Sequence, residues 1–256
     1  MLHEAPLPAK AASRQARVHF ILNSKGGVGK SFVGSLIVQR EIARGRPIRC
    51  FDGDATTATL SSFPALKAER LQMMLEGSII DARRLDDFVE PAMTEQCDVL
   101  LDSGASTYAV LTNYALENDL FNQIHDAGKE VVVHAIVVGN GRTLRETLGD
   151  LDDLASQLPS FVTIIVWLNE HFGEIRDGQK RFEDMAVYSK HKERIAGIVH
   201  LARRNVQTFG VDLDQMMRRH LTFVEAQQQS DLGAMARSRL KRVADDVFRQ
   251  LDIVLP

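Results

Sequence analysis

The sequence contains little cysteine, and this argues against two kinds of site. Of 256 residues only Cys50 and Cys97 are cysteines. Two cysteines cannot form the disulfide framework of a small secreted domain. Because there is no CxxC pair and the histidines are scattered without ligand spacing, a structural zinc site is not expected. Both cysteines lie in or beside apolar runs, so we expect two buried thiols in a reducing compartment.

Long apolar segments and strong net charge are also missing. No apolar run approaches the roughly 20 residues that a membrane-spanning helix needs. Residues 1–17 lack the apolar core of a secretion signal, and we interpret them as a disordered arm. We therefore expect a cytoplasmic protein that does not contact membranes. The formal net charge of −3 does not suit a surface built wholly for nucleic acid, although it leaves room for a local basic patch.

Apolar runs of strand length alternate with helical patterns after residue 17. The runs are mostly continuous, which is typical of strands covered on both faces. This order predicts one α/β domain over residues 18–256, a doubly wound and mainly parallel sheet with helices on both faces. The predicted strands are 18–23, 48–52, 71–75, 99–102, 131–138, 161–168 and 195–200. The predicted helices between them are 30–44, 81–94, 108–127, 143–157 and 179–189.

From about residue 211 the chain is predicted to be helical, with helices at 213–220, 223–228 and 231–251. The last helix has one apolar face, which favours packing on the sheet. A helix that binds a membrane surface or a partner is the alternative, because four basic residues lie together in it. The apolar face consists of Leu232, Met235, Leu240, Val243, Val247 and Leu251, and the basic residues are Arg237, Arg239, Lys241 and Arg242.

A glycine cluster follows the first predicted strand and leads into a helix. Such a strand-to-helix turn directs several backbone N–H groups and the positive end of the helix toward one point, where phosphate binds. Lys30 would reach the β- and γ-phosphates, and the Ser31 hydroxyl would ligate Mg²⁺. The general P-loop pattern G-x-x-x-x-G-K-[ST] expects glycine where this chain has Ser24. The predicted nucleotide-binding residues of this loop are Gly26, Gly27, Val28, Gly29, Lys30, Ser31 and Phe32.

Carboxylates follow two of the predicted strands. Asp52 and Asp54 leave the second strand, and Asp102 ends the run Val99-Leu100-Leu101. The carboxyl ends of parallel strands meet at one edge of a sheet, so these side chains are expected beside the glycine loop. Mg²⁺ and an attacking water both need such oxygen acceptors. The predicted metal ligands are Ser31, Asp52 and Asp102.

The stretch "KGGVGKS", residues 25–31, resembles the deviant Walker A motif of the ParA/MinD family of P-loop ATPases. The resemblance implies ATP and Mg²⁺ as ligands, slow hydrolysis stimulated by a partner, and a nucleotide-dependent homodimer. It implies that Lys25 reaches the phosphates held by the other subunit, which makes Lys25, Lys30 and Asp54 the catalytic residues. Asp54 would orient the hydrolytic water, and Asp102 would hold Mg²⁺ through water. Relatives carry a proline soon after that aspartate, where this chain has Ser103-Gly104-Ala105.

The same resemblance identifies residues that surround the base. An asparagine at the end of a late strand hydrogen-bonds adenine in relatives, and Asn169 occupies that place here. His200 and Leu201 stand where many relatives have Ile-Pro, and they are predicted to pack on the base.

Further stretches resemble one branch, the TraL proteins of conjugative plasmids. These are "DSGAS", "VWLNEHFGEI" with "FEDM" following, and "LTFVEA" near the end. The resemblance implies a role in plasmid conjugal transfer or maintenance, with a plasmid-encoded protein as partner.

Three alternatives stay open at this point. A ligase of the dethiobiotin synthetase type would need a second pocket, which residues 170–178 could line. A module that holds ATP with negligible hydrolysis fits the same motifs. Basic residues form clusters at 203–204, 218–219 and 237–242. In the third alternative these clusters bind DNA without sequence preference; otherwise they are solvated surface residues.

Overall fold

The computed structural model describes residues 14–75, 79–139 and 141–256. Its regular elements alternate between strands and helices over most of the chain. In order they are β1 (Arg17–Ile21), α1 (Lys30–Ala43), β2 (Ile48–Gly53), β3 (Glu69–Arg70), α2 (Asp86–Thr94), β4 (Asp98–Ser103), α3 (Tyr108–Glu117), α4 (Leu120–Asp126), β5 (Glu130–Val138), α5 (Gly141–Gln157), β6 (Thr163–Asn169), β7 (Arg176–Asp177), β8 (Lys180–Arg181), α6 (Ala186–His191), β9 (Ile195–Leu201), α7 (Val211–Arg218), α8 (Phe223–Gln228) and α9 (Ala234–Val254).

Seven of these strands form one parallel sheet in the order β3-β2-β4-β1-β5-β6-β9. The strands β7 and β8 form a separate antiparallel hairpin. The predicted fold class, a doubly wound parallel sheet with a helical C-terminus, is confirmed. All seven strands run the same way, so their carboxyl ends, and the loops that follow them, lie along one edge.

The central strands are mostly apolar because both faces of the sheet are covered. In β5, Val131 and Val133 pack into the hydrophobic cluster on one face. Their neighbours Val132 and Ile136 pack into the cluster on the other face. Successive side chains of a strand point to opposite faces, so a strand buried on both sides is apolar at most positions rather than at every second one.

The C-terminal helix α9 packs on the second face of the sheet. Leu240, Val243, Val247 and Leu251 are buried there in the same cluster as Trp167 of β6. This confirms the favoured interpretation of the apolar face. That face is shorter than predicted, because the side chain of Met235 is 65% exposed. No helix in the part of the chain that the structure describes is both long enough and apolar enough to cross a membrane.

Three predicted elements are wrong in part. Residues 71–75 are not a strand. The edge strand β3 ends at Arg70, and Met74 forms only an isolated bridge with Ile80. The predicted helix 108–127 is two helices, because Asp119 has the left-handed dihedrals φ 52° and ψ 37°. The helix predicted from residue 179 begins only at Ala186, after the β7–β8 hairpin.

The first described residues are held by the sheet. The Arg14 guanidinium donates to Asp98 at 2.6 Å, and the Arg17 backbone N–H donates to the same carboxylate at 2.9 Å. The predicted disordered arm, residues 1–17, is therefore too long at its C-terminal end, since Arg17 already belongs to β1. Residues 1–13 lie outside the described residues. Both cysteines are free, as expected, but only Cys50 is buried, and Cys97 is partly exposed.

Candidate functional site

The glycine loop between β1 and α1 is shaped by two left-handed residues. Gly27 has φ 74° and Gly29 has φ 100°, a region that residues with a β-carbon rarely adopt. Val28 between them is buried, whereas Gly26 and Gly27 are exposed. The apolar side chain anchors the loop and leaves the glycine backbone accessible at the N-terminus of α1. This is the arrangement that binds anions.

Lys30, the first residue of α1, folds back over this loop. Its ammonium donates to the backbone carbonyls of Asn23 at 3.2 Å and Lys25 at 2.8 Å. Burial lowers the pKa of Lys30, while the nearby carboxylates of Asp102 and Asp54 act in the opposite direction. The ammonium therefore lies inside the glycine loop.

The start of the loop is fixed by Asp150 of α5, a residue that the sequence did not single out. Its carboxylate accepts the Ser24 hydroxyl at 2.7 Å and the Ser24 backbone N–H at 2.9 Å. A hydroxyl at position 24 therefore has a structural partner, which accounts for serine where the general motif has glycine. The two residues are 126 positions apart, so no local spacing could have paired them.

The other loop lysine, Lys25, has a different partner. Its ammonium lies 2.9 Å from a carboxylate oxygen of Glu146 on α5. The Arg142 guanidinium donates to the other oxygen at 2.7 Å. The contacts with Lys25 and Arg142 lower the pKa of Glu146. The side chain of Lys25 is 42% exposed, so it lies at the surface, whereas Lys30 is buried.

The predicted metal ligands Asp52 and Asp102 lie on adjacent strands. They are register partners in the β2–β4 pair, and both are fully buried. The Asp52 carboxylate accepts the backbone N–H groups of Asp54 at 3.1 Å and Ser61 at 2.8 Å. Neither oxygen of Asp102 has a hydrogen-bond partner among the described residues.

The surroundings of Asp102 suit a cation. Burial, with a smaller contribution from the Asp52 carboxylate, raises the pKa of Asp102 to about 7, against the opposing effects of the nearby Ser31 hydroxyl and the Lys30 ammonium. A buried carboxylate without donors is unfavourable unless it is neutralised. The described residues contain no group of three or more His, Cys, Asp or Glu side chains able to hold a metal. Two carboxylates and the Ser31 hydroxyl instead fit a hard cation such as Mg²⁺, which keeps several waters and uses phosphate oxygens as ligands.

Asp54, the predicted water-orienting residue, lies in the loop after β2. Its carboxylate accepts hydrogen bonds from the backbone and hydroxyl groups of Thr56 and Thr57. Burial alone would raise the pKa of Asp54, but these hydrogen bonds outweigh it and the pKa is lowered. The carboxylate is therefore charged and fixed in one orientation.

A cavity of about 510 Å³ opens beside the glycine loop. Five of the predicted nucleotide-binding residues line it, namely Gly29, Phe32, Asn169, His200 and Leu201. His171, Phe172 and residues of α7 and α9, which the sequence did not single out, form much of the remaining wall.

Asn169 links this cavity to the glycine loop. Its Nδ2 donates to the Val28 carbonyl at 2.9 Å, and its Oδ1 accepts the His171 N–H at 3.1 Å. A β-carbon on Gly29 would lie 3.0 Å from that Nδ2. The side chain of Asn169 therefore holds the loop against β6, a contact that the sequence did not indicate.

The arginine clusters considered for DNA are largely paired with acids. Each of the following basic side chains forms an ion pair within the described chain: Arg204 with Asp246, Arg218 with Asp214, Arg219 with Asp231, Arg239 with Asp212, and Lys241 with Asp245. Acidic neighbours therefore offset the positive charge of these five side chains.

Comparison with known sequences gives close relatives. No family model matches the sequence. Two Escherichia coli proteins, each named Protein TraL, are 36% identical to this chain over 237 residues. The match covers 93% of this chain and 98% of each relative.

Comparison with solved structures shows the fold. The septum site-determining protein MinD complexed with Mg-ADP, from Pyrococcus horikoshii OT3, gives a TM-score of 0.50 at 14% identity, covering 93% of this chain and 98% of MinD. A chain of the MinC:MinD cell division protein complex of Aquifex aeolicus gives a TM-score of 0.50 at 16% identity, covering 90% and 94%. The fold is therefore that of the MinD-like P-loop NTPases. Because the 36% identity to the two TraL proteins extends over nearly the whole of both chains, this chain belongs to the TraL family.

Proposed function

We propose that this protein is an ATP- and Mg²⁺-binding switch that hydrolyses ATP slowly and dimerises around the nucleotide. One observation carries the proposal. The fully buried carboxylate of Asp102 has no hydrogen-bond partner among the described residues and lies where its charge interacts with Lys30 of the glycine loop. A buried charge arranged in this way stabilises the protein poorly, but it is suited to hold a cation beside bound phosphate.

The triphosphate would bind at the glycine loop. The exposed backbone of Gly26 and Gly27 and the N-terminus of α1 supply N–H donors. The Lys30 ammonium, which donates to two loop carbonyls, would exchange these neutral acceptors for phosphate oxygens. A phosphate oxygen carries negative charge that a neutral carbonyl lacks, so the ammonium gains Coulomb attraction in this exchange.

Mg²⁺ would be held by the Ser31 hydroxyl and by Asp52 and Asp102, in part through water. A bound divalent cation neutralises charge on the phosphate oxygens during transfer. Asp54 would orient the attacking water. The base would occupy the 510 Å³ cavity, between Phe32 and the wall formed by His200 and Leu201.

Dimerisation would use Lys25. In the single chain its ammonium pairs with Glu146 at the surface, away from the buried Lys30. A second subunit that presents bound phosphates would compete with Glu146 for this ammonium. An arginine inserted into a phosphoryl-transfer site, for example by a partner protein, contributes about 10³–10⁵ in rate, which sets the scale for a cation supplied by the second subunit.

The cellular role rests on the TraL relatives. We propose that the switch acts in the cytoplasm, in plasmid conjugal transfer or maintenance, through a plasmid-encoded protein or through DNA. The ion-paired arginines favour a protein partner over DNA, because paired cations have less charge left to attract phosphates.

The first experiment measures nucleotide affinity and oligomeric state together. Purified protein would be studied by isothermal titration calorimetry and sedimentation velocity with ATP, with ADP and without nucleotide, each with Mg²⁺. We expect dimers only with ATP. Lys30→Ala should lose nucleotide binding, whereas Lys25→Ala should bind ATP and remain monomeric. Lys192→Ala, an exposed lysine at the end of α6, is the matched control and should behave like the wild type.

The second experiment measures phosphate release in a single turnover without any added carboxylic acid. Slow release from the wild type supports the switch. Release that requires an added acid would favour a ligase. ATP binding without release over hours would leave an ATP-holding module, and failure to bind ATP would overturn the proposal.

A further inference from the structure

The loops that follow β2 and β4 touch each other at Asp54 and Gly104. A β-carbon on Gly104 would lie 2.7 Å from Cγ of Asp54 and 2.8 Å from its Oδ1. Real β-carbons do not approach other atoms so closely, so position 104 has no room for any other residue while Asp54 keeps its place. This contact accounts for glycine in the segment after Asp102, where the family resemblance leads one to expect proline.

A second contact joins the same two loops. The Thr107 hydroxyl lies 3.0 Å from the Gly53 carbonyl and 3.1 Å from the Gly104 carbonyl, and the side chain is buried. A hydroxyl has one hydrogen to donate, and here the two carbonyls share it. The backbone on either side of the Asp54–Gly104 contact is therefore fixed.

The Asp54 carboxylate is held unequally at its two oxygens. Oδ1 accepts the Thr56 N–H at 2.9 Å, the Thr56 hydroxyl at 2.7 Å and the Thr57 N–H at 3.2 Å. Oδ2 accepts only the Thr57 hydroxyl, at 2.6 Å, among the described residues. A carboxylate has about four acceptor sites on its two oxygens. Oδ1 is therefore filled, and Oδ2 retains one free acceptor site.

We propose that Thr56 and Thr57 are positioning residues that hold Asp54 with a single acceptor site, on Oδ2, left for the attacking water. Gly104 supports the carboxylate from the opposite side. The proposal rests on the proposed hydrolysis of ATP. Neither threonine belongs to the predicted phosphate- or metal-binding set, so both act on the reaction through Asp54.

The test separates hydrolysis from binding. Thr56→Val and Thr57→Val keep the shape of the side chain but remove its hydroxyl. We expect each to slow single-turnover phosphate release about tenfold, which corresponds to the loss of one hydrogen bond to a charged group. The dissociation constants for ATP and ADP with Mg²⁺ should not change. Thr56→Ser and Thr57→Ser should restore the rate.

Thr59→Val is the matched control. This threonine lies in the same loop, and its side chain makes no capping hydrogen bond to the short 3₁₀ helix Leu60–Ser62 that follows it. Valine variants that release phosphate at the wild-type rate would overturn the proposal. A parallel loss of rate and nucleotide affinity would also overturn it, since that pattern indicates a loop that is merely misfolded.

A structural measurement covers the case in which the wild type binds ATP but does not hydrolyse it. Hydrolysis would then be removed from the proposed function, and the crystal structure of Thr56→Val with a non-hydrolysable ATP analogue would decide the positioning role. A rotated Asp54 carboxylate supports the role, and an unmoved one overturns it. Gly104→Ala, checked for folding by thermal denaturation, should displace the same carboxylate from the other side.

Discussion

The ammonium of Lys25 lies 2.9 Å from the carboxylate of Glu146, in an ion pair that joins the glycine loop to α5. Both side chains are partly exposed, at 42% and 29%. Ion pairs in contact with solvent contribute little to stability, so this pair can be exchanged for another partner. The ion pair directs the Lys25 side chain toward α5 at the surface, whereas the Lys30 ammonium is buried against the glycine loop.

Glu146→Gln should strengthen ATP-dependent dimerisation. The amide keeps the shape of the side chain but removes the charge that competes for Lys25. The Lys25 side chain should then leave this contact more readily and reach a second subunit. Sedimentation velocity at increasing ATP concentrations would show dimers at lower ATP than for the wild type. Asp152→Asn, on the same helix but paired with Lys190 and His191, is the control. Unchanged or weaker dimerisation of Glu146→Gln would contradict the competition.

Asp150→Ala should destabilise the protein and loosen the glycine loop. The substitution leaves the Ser24 hydroxyl and backbone N–H without their acceptor. Losing such a charged hydrogen-bond partner costs about 1–3 kcal/mol of unfolding free energy. Urea denaturation followed by circular dichroism would measure the loss. Asp153→Ala, an exposed residue three positions further along α5, should change stability by less than about 0.5 kcal/mol. Equal stability of the two variants would show that the Asp150 contacts contribute nothing.

The buried His134 should contribute a loss of stability on acidification. Trp167 Nε1 donates to His134 Nδ1 at 3.0 Å, so the His134 proton lies on Nε2, 3.0 Å from Nδ1 of His19. Burial, and then the neighbouring His19, lower the pKa of His134 well below its ordinary value. Below about pH 6.5, His134 therefore binds a proton in the unfolded chain but stays neutral in the folded chain.

The contribution of His134 is a loss of up to about 1.4 kcal/mol of unfolding free energy per pH unit below pH 6.5, continuing down to its lowered pKa. Asp102 contributes with the opposite sign, because its raised pKa lets the folded chain bind a proton more tightly than the unfolded chain. Urea denaturation at several pH values between 7 and 5 would measure the net pH dependence. His134→Gln removes this titrating group, so the variant should lose less unfolding free energy than the wild type between pH 7 and 5, even if it is less stable overall. A curve parallel to that of the wild type would exclude His134 as the cause.

Gly197→Ala should destabilise the docking of α9. A β-carbon at position 197 of β9 would lie 2.5 Å from Cγ1 of Val254, so the end of the helix must shift. Overpacking of this kind costs about 1–3 kcal/mol. Gly149→Ala provides the contrast, since a β-carbon there meets nothing within 4 Å and lies inside α5. In that helix alanine should raise the unfolding free energy by roughly 0.5–1 kcal/mol. Thermal denaturation would distinguish the two variants. Equal midpoint temperatures would show that a β-carbon at position 197 does not clash with α9.

The fold class and the glycine loop were predictable because both depend on neighbouring residues. Continuous apolar runs such as β5 indicate strands buried on two faces, and the glycines at 27 and 29 indicate a backbone with positive φ. The short edge strand β3 was misplaced for the opposite reason. Its two residues are exposed, so no apolar pattern marks them.

The sequence by itself therefore determined the parallel sheet, the loop before α1 and the aspartates at the strand ends, because these are set by periodicity and backbone chemistry within a few residues. Only the tertiary structure decided which side chains meet. Ser24 meets Asp150, Lys25 meets Glu146, and Asn169 holds Val28. Such pairs lie more than 100 residues apart in the chain, and they form because strand order and helix packing place them side by side.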